Sequence, residues 1–177
     1  MEPVEIIYKP KYEIKEKTWA TNGMRGKREK NIVNSLYLEA DLLYKHNLNL
    51  QEKYKLIKEK EARAEKYKTE DADIILVSYG TMSRVCRGVV DTFRGENKKI
   101  GMIRPITLWP FPEKEFKNNN NCKMYISIEM SMGQMIDDIK LACECKVPVK
   151  FFGKAGGIVP TSHEIIGHIK EFAGGIL

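Results

Sequence analysis

The clearest hydrophobic pattern lies in the second half of the chain. Asp73–Gly80, "DIILVSYG", is a near-continuous apolar run rich in β-branched side chains. That is the signature of a strand buried on both faces. Met82, Val85, Cys86, Val89, Val90 and Phe93 then recur at helical spacing up to Gly95, which is placed to cap the helix end. "KIGMIRP" is the second strand and "KMYISIE" the third. Met132, Met135, Ile136, Ile139, Ala142 and Cys143 form the apolar face of the helix after it. "VPVKFFGK" is the fourth strand. A last helix begins at Thr161, where Thr161-Ser-His-Glu164 has capping-box spacing, and it buries Ile165, Ile166, Ile169 and Phe172. Strand and helix alternate, which argues for an α/β fold with a mostly parallel sheet covered by helices on both faces.

Residues 1–72 follow a different pattern. The opening, through Asn31, has Pro3, Pro10, Gly23 and Gly26 but no sustained periodicity, and reads as an extended arm. "IVNSLYLEADLLYKH" predicts a short helix, and Leu50, Tyr54, Ile57, Glu61 and Ala64 place a second helix in "LNLQEKYKLIKEKEARAEKY". Its apolar stripe is narrow. The expected organisation is an arm and helical linker over 1–72 and an α/β domain over 73–177.

Charge excludes one class of partner. The chain carries +6, but basic and acidic side chains are interleaved in both regions, so no Lys/Arg cluster suited to phosphate contacts forms and nucleic acid is not expected. No apolar run approaches a membrane span and Met1–Pro10 lacks a secretory core, so no membrane partner is expected and the protein is placed in the cytoplasm. Cys86, Cys122, Cys143 and Cys145 contain no Cys-x-x-Cys pair, so they read as reduced thiols rather than zinc or cluster ligands. His163 and His168, five apart on one helix, do not align as a metal pair.

Four stretches are placed where ligands and partners meet such sheets, at the carboxyl ends of the strands. "IRPITLWPFP", Ile103–Pro112, leaves the second strand with three prolines that remove backbone donors and fix φ. Its stiffness lowers the ordering cost of an interface, and Trp and Arg are the side chains that carry interface energy. Arg104, Pro105, Trp109 and Phe111 are therefore candidate interface residues, against the simpler reading that the two rings cover their own sheet. "SIEMSMGQM" adds Glu129, Met130, Ser131, Gly133 and Gln134 as further interface candidates; Glu129 lacks a visible partner for acid–base work. "FGKAGGIVP" could hold an anion at a helix N-terminus but lacks the Gly-Lys-Ser/Thr ending of a phosphate loop, and "SYGTMSRV" has one glycine where a dinucleotide fingerprint needs three. No catalytic, cofactor-binding or metal-ligating set is visible in the sequence.

"EDADIILVSYGT", "IGMIRPITLWPFP", "YISIEMSMGQMIDDIKLA" and "FFGKAGGIVPTSHEII" together resemble the C-terminal part of the α chain of 2-oxoacid:ferredoxin oxidoreductases, most closely the 2-ketoisovalerate kind. The likeness runs from about Asn31 to the end, with "LYLEADLLYKHNLNLQEKY" resembling the helical linker ahead of that domain. It implies a transketolase C-terminal-like domain, a three-layer α/β sandwich with a five-stranded, mostly parallel sheet. It also implies a non-catalytic assembly role in an enzyme that oxidatively decarboxylates 2-oxoacids to acyl-CoA and passes electrons to ferredoxin. Thiamine diphosphate, Mg and iron–sulfur clusters are expected in the complete enzyme and none in this chain, so the isolated chain is expected to be inactive. The implied partners are an N-terminal pyrimidine-binding domain of the same α chain, a thiamine-binding β chain and a ferredoxin-like iron–sulfur chain. Met1 then reads as the start of a fragment, for which a homodimer is conceivable. The rival readings are a free-standing nucleotide-binding domain, with a ligand at the loops after Tyr79 and Gly153, and a regulatory interaction module.

Overall fold

The computed structural model describes residues 16–24, 26–32, 34–117, 119 and 121–177. The expected arm over 1–15 lies outside them. Two compact units are present, Met1–Gln51 and Glu52–Leu177. Among the described residues before Ala40 there is no regular helix or strand. The first helix, α1, spans Ala40–Glu61 as one continuous element with no fully buried residue.

The second unit holds a five-stranded sheet of β1 (Ala64–Tyr67), β2 (Ile74–Val77), β3 (Ile100–Pro105), β4 (Met124–Glu129) and β5 (Val149–Gly153), in the order β1-β3-β2-β4-β5. The β3/β2, β2/β4 and β4/β5 pairs are parallel, and β1 is antiparallel to β3. Every residue of β2 and β4 is buried, as expected for central strands covered on both faces.

Alternation along the strands divides the interior. Ile74, Leu76, Met124, Ile126 and Ile128 point to one side, where they meet Met82, Cys86, Val89, Val90 and Phe93 of α2 (Gly80–Gly95) and Ile165, Ile169 and Ala173 of α5 (Ser162–Ala173). Ile75, Val77, Ile103 and Tyr125 point to the other, against Phe116 of α3 (Lys114–Lys117) and Met135, Ile139 and Ala142 of α4 (Met135–Ala142). The three-layer α/β sandwich follows directly.

The structure corrects four local expectations. The two helices expected before residue 68 are one, and it stops at Glu61; Ala64–Tyr67, placed at the end of the second, is a strand. The edge of β3 needs partners for its N–H and C=O groups, and that requirement overrides the helix-favouring composition of "ARAEKY". Gly95 is the last residue of α2 rather than its left-handed cap; Asn97 takes the positive φ of 60°, a conformation Asn tolerates better than most side chains. Met132, expected on the buried face of the helix after β4, precedes α4 and is 79% exposed. Val85, Ile166 and Phe172 flank the core rather than filling it.

Candidate functional site: the carboxyl end of the sheet

Glu129 ends β4 on the same face as Tyr125, because Tyr125, Ser127 and Glu129 alternate along one strand. That face carries α4, and the carboxylate lies under the helix N-terminus. Its Oε1 accepts the Ser127 hydroxyl at 2.7 Å and the Ile136 N–H at 3.2 Å. Its Oε2 accepts the Ser131 hydroxyl at 2.8 Å, the Gln134 N–H at 3.1 Å and the Met135 N–H at 3.0 Å. A helix leaves its first amide groups unpaired and carries partial positive charge there. Glu129 meets both needs, so a carboxylate only 1% exposed has neither a missing donor nor an uncompensated charge.

This placement changes the reading of "SIEMSMGQM". Glu129 is buried and its carboxylate oxygens accept five donors from its own chain, so it is not presented to an approaching partner. The Ser131 hydroxyl binds Glu129 and accepts the Gly133 N–H at 3.2 Å, bracing the turn. Gly133 sits at φ +96°, where an L side chain is strained. Met130 packs against the α2 side of the core, while Gln134 is exposed. The sequence reading missed Ser127; its signal was a polar residue two before Glu129 on an otherwise apolar strand.

"IRPITLWPFP" is held by its own chain. The Ile106 N–H donates to the Arg63 carbonyl at 2.9 Å, and the Thr107 hydroxyl accepts the Arg63 N–H at 2.9 Å and donates to the Pro110 carbonyl at 2.9 Å. Trp109–Pro110 is cis. Pro105 is buried in β3. Arg104 pairs with Glu65 of β1 at 3.2 Å. Phe111 stacks on Phe116, which meets Tyr125, so Phe111 covers its own sheet. Trp109 does not: it is 59% exposed, with a T-shaped contact to Tyr54.

Exposed apolar side chains occur on three of the loops at this end. Ile106, Leu108 and Trp109 follow β3, Met132 follows β4, and Ile158 and Val159 follow β5. The loops after β4 and β5 are neighbours and the loop after β3 lies across β2 from them; exposed apolar side chains at the strand ends of such a sheet are candidate contact positions.

The Gly-rich turn after β5 is not an open anion site. The Glu164 carboxylate closes the capping box with Thr161 at the N-terminus of α5 and also pairs with Lys154. Lys154 first, then Thr161, hold the Glu164 carboxyl down at about 2, from an ordinary 4.5. Because the folded state lowers this pKa, the contribution is present above about pH 4.5 and is lost as pH falls toward about 2. Urea melts across that range should therefore show a part of the acid destabilisation that Glu164→Gln flattens; an unchanged slope would show the cap to be unimportant.

Among the described residues no three His, Cys, Asp or Glu side chains come together to hold a metal. Cys86 lies on the α2 side of the sheet and Cys122 and Cys143 on the α4 side. Among the described residues no helix is long and apolar enough to cross a membrane.

The architecture is that of a transketolase-like α/β domain. It matches the split-gene transketolase structure of an inactive β4 tetramer at TM-score 0.53 and 13% identity, over 62% of this chain and 40% of that one. It matches the 2-oxoglutarate:ferredoxin oxidoreductase of Magnetococcus marinus at TM-score 0.61 and 22% identity, over 78% of this chain and 24% of that one. The chain belongs to the family of pyruvate:ferredoxin oxidoreductase core domain II, whose model matches residues 72–165. Among relatives, the ketoisovalerate oxidoreductase subunit VorB of Methanothermobacter marburgensis is 43% identical over 159 residues, 89% of this chain and 44% of the relative. The chain thus spans less than half the length of the curated relatives it matches.

Proposed function

We propose that this chain is an assembly domain of a 2-oxoacid:ferredoxin oxidoreductase of the 2-ketoisovalerate kind. It packs on the pyrimidine-binding region of the α chain, the thiamine-binding β chain and the ferredoxin-like iron–sulfur chain, in the cytoplasm. Thiamine diphosphate, Mg and the iron–sulfur clusters belong to those neighbours. The complete assembly oxidatively decarboxylates the 2-oxoacid to an acyl-CoA and passes the electrons to ferredoxin. The identity to VorB supports the substrate class. The observation that carries the assembly role is the exposure of apolar side chains on the strand-end loops, of which Trp109 is the largest.

The test measures Trp109→Ala in two settings. In the assembled enzyme the change weakens association by about 2 kcal/mol or more, the scale of a central aromatic contact. In the chain alone it costs about 1 kcal/mol, the worth of the edge contact with Tyr54. A large loss in the denaturant melt with unchanged association would assign the ring to the fold and overturn the reading.

A further inference from the structure

The turn that ends α4 carries a feature the assembly role does not use. The Lys140 carbonyl accepts three donors: the Cys145 N–H at 3.0 Å, the Cys143 thiol at 3.5 Å and the Cys145 thiol at 3.6 Å. Both thiols therefore converge on one carbonyl oxygen, and their sulfurs are no farther apart than the sum of the two thiol distances. Two consecutive non-glycine residues within it, Glu144 and Cys145, sit in the left-handed region at φ 54° and 53°. Such strain collects at functional positions. The Glu144 carboxylate pairs with Lys146 at 2.6 Å and Lys117 at 3.5 Å.

We propose that Cys143 and Cys145 form a reversible dithiol–disulfide pair whose oxidant is a low-molecular-weight disulfide. The two thiols differ in the way such a pair requires. Cys145 is exposed and open to attack, whereas Cys143 is 5% exposed and reaches the reaction only through its neighbour. A cavity of about 210 Å³, lined by Cys143 together with Tyr125, Cys122 and Asn119, gives the inner side chain room to turn.

The chemistry balances with that oxidant alone. The Cys145 thiolate attacks one sulfur of the small disulfide, forming a mixed disulfide and releasing one small thiolate, which takes up the proton Cys145 gave to solvent. Cys143, losing its proton, then attacks the Cys145 sulfur and expels the second small thiol. Two protein thiols have lost two electrons and one small disulfide has become two thiols. Closing so short a ring departs from relaxed disulfide geometry, so the bond is easily reduced again. The remaining cysteines stay out of the exchange: burial pushes Cys86 up to about 12 and Cys122 up to about 11, and the thiolate is the reactive form.

The test uses the whole chain and oxidised glutathione. After incubation, the protein is denatured, alkylated and digested with trypsin, which releases both cysteines on the single peptide Leu141–Lys146. The expected result is that this peptide loses two hydrogens and escapes alkylation, while Cys86 and Cys122 are alkylated. In a parallel sample, dithiothreitol added before the alkylation restores all four thiols. Cys145→Ser leaves Cys143 free to alkylate, and Cys143→Ser stops at glutathione attached to Cys145. Alkylation of both cysteines in the wild-type peptide, glutathione retained on Cys145 without ring closure, or a bridge from Cys143 to Cys122 would each overturn the proposal. The wild-type result decides even where the buried Cys143→Ser variant does not fold.

Discussion

Glu129→Ala lowers the unfolding free energy by about 3–5 kcal/mol, since three buried backbone N–H groups lose their acceptor at about 1–3 kcal/mol for each donor left unsatisfied. An exposed N-cap lost to alanine costs only about 1 kcal/mol, because water takes over the released amides. Here water has little access: the carboxylate is 1% exposed and receives three backbone N–H groups and two hydroxyls. The hydroxyls of Ser127 and Ser131 can turn to other acceptors, but the amides of Gln134, Met135 and Ile136 are fixed by the helix. Glu129→Gln is the informative companion. Its amide oxygen still accepts, while its NH₂ faces donors, so it falls between wild type and alanine. The midpoint of urea unfolding drops at unchanged slope in both variants. A loss below about 1 kcal/mol for Glu129→Ala would mean that α4 is held by its apolar face alone and that the carboxylate is incidental.

The difference between Glu129 and its surroundings also marks how far the sequence could be read. Strands β2 and β4 were legible because burial on both faces leaves an unbroken apolar run, and the α5 cap was legible because Thr161 and Glu164 are both side chains at a fixed spacing. Glu129 was placed at the right position and given the wrong exposure, since three of its five donors are backbone amides and every residue except proline carries one. β1 was missed for a related reason: "AEKY" is an edge strand whose pairing is with backbone, and its side chains look like the continuation of α1. In "IRPITLWPFP" the sequence left two readings for its rings, and the structure divides them, with Phe111 packed on Phe116 and Trp109 outside. No periodicity distinguishes two aromatics two residues apart in a loop.

Gly153→Ala is expected to cost about 3 kcal/mol, at the upper end for adding one methyl group to a packed site. The Gly-rich turn it opens reads in sequence as ordinary flexibility, and Gly156 and Gly157, at φ 75° and 79°, do serve the turn. Gly153 serves a different end. A Cβ there would lie 2.7 Å from the Glu129 carbonyl, 2.7 Å from the Ser131 carbonyl and 2.7 Å from the ring of Phe151. The ring can rotate away, but neither carbonyl can. The Glu129 carbonyl accepts the Lys154 N–H at 3.2 Å within the β4/β5 pairing, and the Ser131 backbone belongs to the turn that the Glu129 carboxylate braces through the Ser131 hydroxyl. The clash is therefore costly because Glu129 keeps its neighbours from yielding, and the two substitutions must couple. In a Glu129→Ala background the turn relaxes and the added methyl group costs less, so the double variant is more stable than the sum of the single losses by about 1 kcal/mol. Strict additivity of the urea-melt values within about 0.5 kcal/mol would show that β5 and the β4–α4 turn hold their positions independently, and the rigidity of this end of the sheet would then have to come from the α4 core contacts of Met135 and Ile139 instead.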